Sequence, residues 1–403
     1  MSQETTISVR YDYLDGLRGL AASAVVLTHF VAALYPHGIF GGATTLQGGW
    51  EKVFLYPPFG LLVAGHFAVC LFFLLSGYVL ALPLLLKGTP WRDIVAAMVK
   101  RPFRLLGIVL ATILISWLLW RAGLYHNHEV AMASGSGWFG QFWPNPAPKG
   151  DILAWHLTTA PFEMATTYNQ PLWTIKRELI GSFLVYGILL FGQFRPLRWC
   201  VMLAGAWWFR GNFFQCFILG LMFADWQCAR SMAGTPRPVS MPGWLCVLLI
   251  FVTIVCGSYP KYAMTSAAAH EAYWFSPPLR WLGGGWSMVG AVALFLLVLH
   301  APAAQRFLSR RTMLFLGKVS YSLYGVHFLV LGTACSWVFI SALPACGYLG
   351  SAALALLTLI IITLVCASAL HSTVDAFFIW VARAIGTRVV RLLTPWRSWV
   401  CPR

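Results

Sequence analysis

Charged residues are scarce in this sequence of 403 residues, of which only 10% are charged and only 12 are acidic. Soluble globular domains devote about a quarter of their residues to charge, so the scarcity excludes an ordinary soluble fold. Apolar residues take their place: 59% of the sequence is hydrophobic, and the mean hydropathy is +0.72. The composition therefore predicts a membrane protein that crosses the bilayer several times.

The sequence also lacks the patterns that mark other classes of protein. Its ten cysteines form no Cys-x-x-Cys pair and no His/Cys cluster at metal-ligand spacing, so no metal site is predicted. No internal repeat or low-complexity linker divides the chain. We therefore expect one membrane domain over residues 1–403, with a short basic cytoplasmic tail from about residue 372. The first apolar run lacks a convincing cleavage site and should remain as the first span.

Ten apolar runs of nearly helix-spanning length are bounded by charged or Gly/Pro-rich segments. They cover approximately residues 15–35, 63–86, 103–121, 177–194, 197–210, 213–229, 242–258, 281–300, 314–336 and 349–371. The fifth run is short, and merging 197–229 into one bent span would move every later loop to the other side. With a cytoplasmic N-terminus, 20 of the 28 Lys and Arg residues fall on the cytoplasmic side.

This charge distribution supports an all-α polytopic fold of ten spans with both termini in the cytoplasm. The net charge of +16 then serves membrane orientation and contact with anionic lipid, and it requires no nucleic acid.

Two ionisable residues lie in or beside the first span, where such groups are costly and usually functional. Arg18 and His29 are separated by ten residues, and eleven helical steps of about 100° return to within roughly 20° of the starting direction. They therefore share one helix face, with His29 about 16 Å deeper, so that a ligand held by Arg18 can reach His29. In the structural alternative, Arg18 snorkels to lipid headgroups and His29 bonds a neighbouring helix.

A series of motifs resembles the landmarks of the membrane acyltransferase 3 family, in order along the chain. They are LDGLRGLAASAVVLTH, CLFFLLSGYVLA, KRPFRLL, QPLWTIKRELIGSFLVY, FFQCFILGLMFA and LGKVSYSLYGVHF, with a weaker match at HSTVDAFFIWVAR. The Arg, ten residues, His spacing is the hallmark of that family. Its members are integral membrane enzymes that move acyl groups, commonly acetyl, onto carbohydrates and other hydroxyl-bearing acceptors. This chain resembles the form that has no appended hydrolase-like domain.

The resemblance implies an acyl-coenzyme A donor that enters from the cytoplasmic side and reaches His29. Imidazole is suited to act as a base near neutral pH, and either direct deprotonation of the acceptor or a first acyl transfer to His29 fits the spacing. Arg18, Arg101 and Arg104 are candidates to hold the donor phosphates, because the arginine fork suits phosphate. They are also what the topology alone requires at a cytoplasmic boundary. Asp15, one turn before Arg18, can pair with it or act as a helix N-terminal acid.

Three polar positions in later spans are further candidates. Glu178 matches a glutamate of the family and is expected at the external start of the fourth span, where it orients His29, binds an acceptor hydroxyl or pairs with the preceding Lys176 and Arg177. His327 is expected at the depth of His29, with Tyr324 one turn before it on the same face. An interhelical hydrogen bond is the structural alternative for His327.

Aromatic residues provide the candidates for the acceptor site. Trp173 is either a wall of the acceptor site or an interfacial anchor. The long loop from about Ala122 to Gln170 carries Trp138, Phe139, Phe142, Trp143 and Trp155. Such residues stack on sugar rings or anchor a loop at the membrane surface.

The sequence thus predicts a multi-pass O-acyltransferase of the cell membrane. It should pass an acyl group, with acetyl as the first expectation, from cytoplasmic acyl-coenzyme A to a hydroxyl of a saccharide or glycoconjugate. The competing hypothesis is a secondary transporter in which Arg18, His29 and His327 line the path. The sequence shows no duplicated halves and no paired Gly/Pro-broken spans, both of which are common in such transporters.

Overall fold

A computed structural model describes residues 11–42, 44–144, 146–147, 149–163, 167–232, 241–263, 273 and 284–394. Within these ranges the chain is helical and contains no strand, as expected for an all-α fold. In chain order the α-helices are α1 (Asp12–Leu34), α2 (His37–Phe40), α3 (Gly65–Leu86), α4 (Trp91–Arg121), α5 (Asn127–Ser134), α6 (Gly137–Gly140), α7 (Gly150–Glu163), α8 (Trp173–Phe191), α9 (Arg195–Trp208), α10 (Phe214–Met232), α11 (Gly243–Gly257), α12 (Trp286–His300), α13 (Pro302–Leu308), α14 (Arg311–Val330), α15 (Ser336–Leu370) and α16 (Ala376–Leu393).

Each of the ten predicted spans overlaps one of these helices, although residues 281–283 lie outside the described part. Among the described residues, α1, α3, α4 and the helical run Arg311–Leu393 are long and apolar enough to cross a membrane. The pair α12 and α13, bent by 95°, makes a fifth if it acts as one span. The short fifth run forms α9, whose 14 residues rise about 21 Å and fall short of a bilayer core of about 30 Å.

Close contact between α1 and α14 aligns the two helices that carry the histidines. A Cβ added at Gly19 would lie 2.5 Å from the backbone N of Gly317, and one added at Gly317 would lie 2.2 Å from the backbone O of Asp15. Only glycine fits such a backbone approach, which is the usual device of helix packing in membranes. The small residues therefore hold α1 and α14 close enough for His29 to reach His327.

The loop after α4 folds onto the C-terminal end of α1 through its serines. The hydroxyls of Ser134 and Ser136 donate to the carbonyls of Ala33 (2.8 Å) and Ala32 (2.7 Å), respectively. These bonds satisfy carbonyls that a helix end leaves without an intrahelical partner. As a result, the short helix α6 lies over the region of His29.

The C-terminal part of the chain forms a long helical run that continues to Leu393 and includes most of the tail predicted from about residue 372. Two π-helical turns, Leu331–Cys335 and His371–Asp375, interrupt it, and the backbone departs from helical angles at Gly347 (φ 65°). The last helix, α16, packs along α4. Residues 395–403 of the predicted tail lie outside the described part.

Candidate active site

His29 and His327 form a direct pair. His29 Nδ1 lies 2.8 Å from His327 Nε2, and the two rings are nearly coplanar, with 10° between their planes. His327 is 1% exposed. The sequence placed the two histidines at the same depth, and the structure brings them into hydrogen-bond contact.

The hydrogen bonds assign the protons of a neutral pair. His327 Nδ1 lies 3.2 Å from the carbonyl oxygen of Leu323, which can only accept, so His327 Nδ1 carries the proton. His327 Nε2 is then an acceptor, and His29 Nδ1–H donates to it. The lone pair of His29 therefore lies on Nε2, which makes that nitrogen the basic atom of the pair.

Aromatic rings pack against His29. The indole of Trp138, on α6, lies parallel to the imidazole, with 5.7 Å between centroids and 11° between planes. Phe328 meets the same imidazole edge to face at 5.3 Å. The sequence identifies Trp138 only as one of several loop aromatics, because its contact with His29 depends on how the loop folds.

A cavity of about 160 Å³ lies between α1, α3, α4, α8 and α14. This volume is below the roughly 300 Å³ at which drug-sized pockets begin, so it suits an extended arm better than a whole nucleotide. Three guanidinium groups and one carboxylate face the cavity, those of Arg18, Arg101, Arg104 and Glu178. The rest of the lining is apolar or neutral and consists of Val69, Phe72, Phe73, Ser76, Leu105, Thr174, Ile175, Ser320, Tyr321 and Tyr324.

Arg101 and Glu178 form an ion pair inside the bundle. Arg101 Nη2 donates to Glu178 Oε1, and Arg101 Nε donates to the hydroxyl of Ser182 (2.8 Å). The hydroxyl of Ser76 also donates to Glu178 Oε1 (2.7 Å). The side chains of Arg101 and Glu178 are 15% and 13% exposed, so both are largely desolvated. Arg101 thus points into the bundle, although Pro102 follows it inside α4.

The expected position of Glu178, at the external start of the fourth span, stays a prediction. Glu178 lies more than one turn into α8, which begins at Trp173, and it faces Arg101. His29 is oriented by His327 instead. The preceding Arg177 does not explain Glu178 either, because its guanidinium stacks on the ring of Trp173 at 4.6 Å.

Arg104 is paired with an acid that the sequence analysis did not single out. Arg104 Nη1 donates to Asp375 Oδ1 (2.5 Å), and Asp375 Oδ2 accepts from His371 Nδ1 (2.9 Å). Asp375 is 2% exposed, whereas the side chain of Arg104 is 33% exposed and lies at the rim of the cavity. The available signal was the placement of two ionisable residues four apart in the otherwise apolar run HSTVDAFFIW.

Arg18 is partly buried and lines the same cavity. Glu178 lines the same cavity, and Asp15 precedes Arg18 by one turn of α1. A direct Asp15–Arg18 pair stays a prediction. The shared face of Arg18 and His29 lies along α1, which is one continuous helix over both residues.

Tyr324 lies between the cavity and the histidine pair. Its hydroxyl accepts from the Thr174 hydroxyl (2.8 Å) and donates to the Pro171 carbonyl (3.2 Å), and its ring centroid lies 5.7 Å from that of His327. It lines the cavity wall. The cavity therefore reaches to within one side chain of the basic pair.

The two tryptophans chosen as acceptor contacts occupy different environments. Trp173 is partly buried and packs between Arg177 and Phe213. Trp143 is only 2% exposed, its indole N–H donates to the carbonyl of Tyr168 (3.1 Å), and its ring stacks on Tyr125 at 4.0 Å. Trp143 is thus a packing residue of the loop, because its buried ring contacts other residues of the hydrophobic core.

No group of three or more His, Cys, Asp or Glu side chains suited to a metal ion occurs in the described ranges of the chain.

A helical bundle in which several helices are apolar enough to cross a bilayer is the architecture of a membrane protein. The chain belongs to the acyltransferase 3 family, whose sequence profile, described as an acyltransferase domain, matches residues 11–371. It is also similar to "Acyltransferase clz18" of Cochliobolus lunatus, with 21% identity over 385 residues that cover 78% of this chain and 81% of the relative. No solved structure matches the chain. The family supports an O-acyltransferase and thus an enzyme rather than a transporter.

Proposed function

We propose that this protein takes an acyl group, acetyl in the first instance, from cytoplasmic acyl-coenzyme A and passes it to a hydroxyl of a saccharide or glycoconjugate. The observation that carries the proposal is the basic Nε2 of His29, fixed by His327 close to the inner end of an arginine-lined cavity. We further propose a multi-pass protein of the cell membrane, with ten spans and both termini in the cytoplasm.

The donor fits the cavity in two parts. The pantetheine arm occupies the narrow interior, whose volume of about 160 Å³ excludes the nucleotide, and the nucleotide phosphates remain at the rim beside Arg104. Arg18 and Arg101 supply further positive charge along the lining. Glu178 neutralises one of these charges, which leaves the lining positive overall. A net positive lining favours a polyanionic donor.

In the proposed reaction one proton moves in two steps, first to His29 and then to the leaving sulfur. As the acceptor oxygen attacks the thioester carbonyl carbon, its proton moves to His29 Nε2. When the tetrahedral intermediate collapses, the C–S bond breaks and the coenzyme A sulfur leaves with that proton as the thiol. His327 supports the step because the Nδ1–H of His29 donates more strongly once the ring is cationic. In the alternative, His29 Nε2 attacks the thioester first and carries the acyl group itself.

The acceptor approaches from the side opposite to the donor. We assign Trp173, at the start of α8, and Tyr324, on the cavity wall, to the acceptor side as part of this proposal. Trp138 is a further ring in contact with His29, and it closes the external side of the basic pair.

Detergent-purified protein tests the proposal with acetyl-coenzyme A labelled in the acetyl group. We expect release of free coenzyme A without any membrane gradient, with water as the slow acceptor and faster release when a suitable saccharide is added. Label retained on denatured protein would favour the acyl-histidine route, and its absence during turnover would favour direct transfer. A protein that leaves acetyl-coenzyme A intact under all of these conditions contradicts the proposed donor.

A further inference from the structure

Asp375 connects the last part of the chain to the cavity. It lies beyond residues 11–371, which match the family profile, in the π-helical turn His371–Asp375. Turns of this kind are frequent at functional sites. At 2% exposure its carboxylate is fully desolvated, and both of its oxygens accept charge-assisted or imidazole hydrogen bonds.

We propose that Asp375 is a positioning residue that fixes Arg104 at the cavity rim for the nucleotide phosphates of the acyl donor. The inference rests on the proposed function in one respect, namely that the donor is an acyl-coenzyme A.

The geometry fixes the guanidinium from two sides. Asp375 Oδ1 holds one edge through Nη1 (2.5 Å), and the ring of Tyr321 lies under the guanidinium carbon at 5.5 Å. An arginine has five N–H donors in a rigid fork, so one occupied edge leaves the others for phosphate oxygens. Without Asp375 the side chain regains its rotamer freedom, which binding of the donor must then remove.

Removal of the Asp375 charge also has an effect that favours binding of the donor. One fewer negative charge beside Arg104 raises the positive potential at the rim, which favours phosphate. Arg104 is 33% exposed, and solvent and salt screen charges at such a position. We therefore expect the loss of orientation to outweigh the gain in potential.

The test compares two thioesters that share the reacting end. Acetyl-coenzyme A carries the nucleotide phosphates, and S-acetylpantetheine lacks them. For Asp375→Asn we expect the KM for acetyl-coenzyme A to rise about tenfold, which is the effect of one hydrogen bond to a charged group, with kcat within about twofold. With S-acetylpantetheine, we expect kcat/KM to equal that of the wild type within about twofold. Arg104→Gln should reproduce this selectivity, and the double variant should be no worse than either single variant.

Asp225→Asn is the matched control. Asp225 is 1% exposed and also pairs with arginines, Arg198 at 2.5 Å and Arg195 at 2.9 Å, but it lies outside the cavity lining. Its loss should lower stability and leave the ratio between the two thioesters unchanged. If Asp375→Asn does not fold, Asp375→Glu tests the same contact, because it keeps a carboxylate but displaces it from Arg104, and it should raise the KM for acetyl-coenzyme A without changing kcat/KM for S-acetylpantetheine.

Two results overturn the inference: an equal loss of activity with both thioesters, which indicates a structural role, or a lower KM for acetyl-coenzyme A, which indicates that Asp375 competes with the donor. The proposed function fails separately, if wild-type protein does not use acetyl-coenzyme A. If the wild type turns over but Asp375→Asn shows no selectivity, only the role of Asp375 is removed. If Arg104→Gln shows none either, the role of Arg104 at the nucleotide phosphates is removed as well.

Discussion

Replacement of His327 removes the atom that holds the proton of His29 on Nδ1. In His327→Phe, the His29 Nδ1–H loses an acceptor 2.8 Å away in a buried environment, and the imidazole can shift its proton to Nε2. That tautomer has no lone pair where the acceptor hydroxyl approaches. In His327→Gln, the amide oxygen can still accept from His29 while the amide N–H donates to the Leu323 carbonyl, so the productive tautomer is retained.

The expected size follows from the single bond that is lost. A buried donor without a partner costs about 1–3 kcal/mol, so the productive population of His29 should fall by about 5- to 150-fold in His327→Phe. We expect kcat for acetyl-coenzyme A to fall by that factor with KM nearly unchanged, since His327 lies outside the cavity lining. His327→Gln should lose less than about fivefold.

The assay is release of free coenzyme A by purified variants, with thermal melting of the same samples to compare folding. Equal activity of His327→Phe and wild type would refute the assigned proton positions. Equal losses in the Phe and Gln variants would also refute them, because the argument requires an acceptor at this position and not a histidine as such.

Three further predictions concern packing, charge and water. Gly77→Ala places a Cβ 2.1 Å from the carbonyl oxygen of Phe217 and should destabilise the protein by about 2 kcal/mol or more. The control Gly187→Ala has open space around its Cβ and should be neutral or stabilising. Equal melting temperatures of the two variants would contradict the close α3–α10 contact. Glu178→Gln leaves its arginine partner without a counter-charge and should cost about 2 kcal/mol, less than the roughly 3–5 kcal/mol of a fully buried pair; an unchanged unfolding midpoint would show that this ion pair is dispensable. Trp138→Ala exposes to water the face of the His29 imidazole on which the indole stacks, with 5.7 Å between ring centroids. It should therefore raise acceptor-free hydrolysis of acetyl-coenzyme A several-fold relative to Trp138→Phe. Equal hydrolysis rates in the two variants would contradict a covering role for Trp138.

Features that depend on one helix alone could be predicted from the sequence. The shared face of Arg18 and His29 follows from the helical period, and the depth of His327 follows from counting residues from the membrane boundary. Each of the ten apolar runs corresponds to a helix because burial in a bilayer core demands apolar side chains over a fixed length. The count of ten membrane spans and the orientation of the termini stay predictions.

Pairings between helices could not be predicted in the same way. Glu178 was expected to orient His29, bind an acceptor hydroxyl or pair with Lys176 and Arg177, and its ion pair with Arg101 was not foreseen. Trp143 was expected at the acceptor, but the loop folds inward and uses the indole as core. Asp375 received no role, because its partner Arg104 lies far away in sequence and only the packing of α16 on α4 brings them together. Rotation and register between helices depend on many small contacts that a single sequence does not display.

The central claim is that His29 is the base for acyl transfer, and purified His29→Ala tests it most directly. We expect turnover of acetyl-coenzyme A to fall by about 10²–10⁴-fold, the usual contribution of a general base, while thermal melting and size-exclusion elution stay those of the wild type. His156→Ala, which changes a histidine of α7, outside the candidate site, should keep full activity as the matched control. Turnover by folded His29→Ala within about twofold of the wild-type rate would contradict the account.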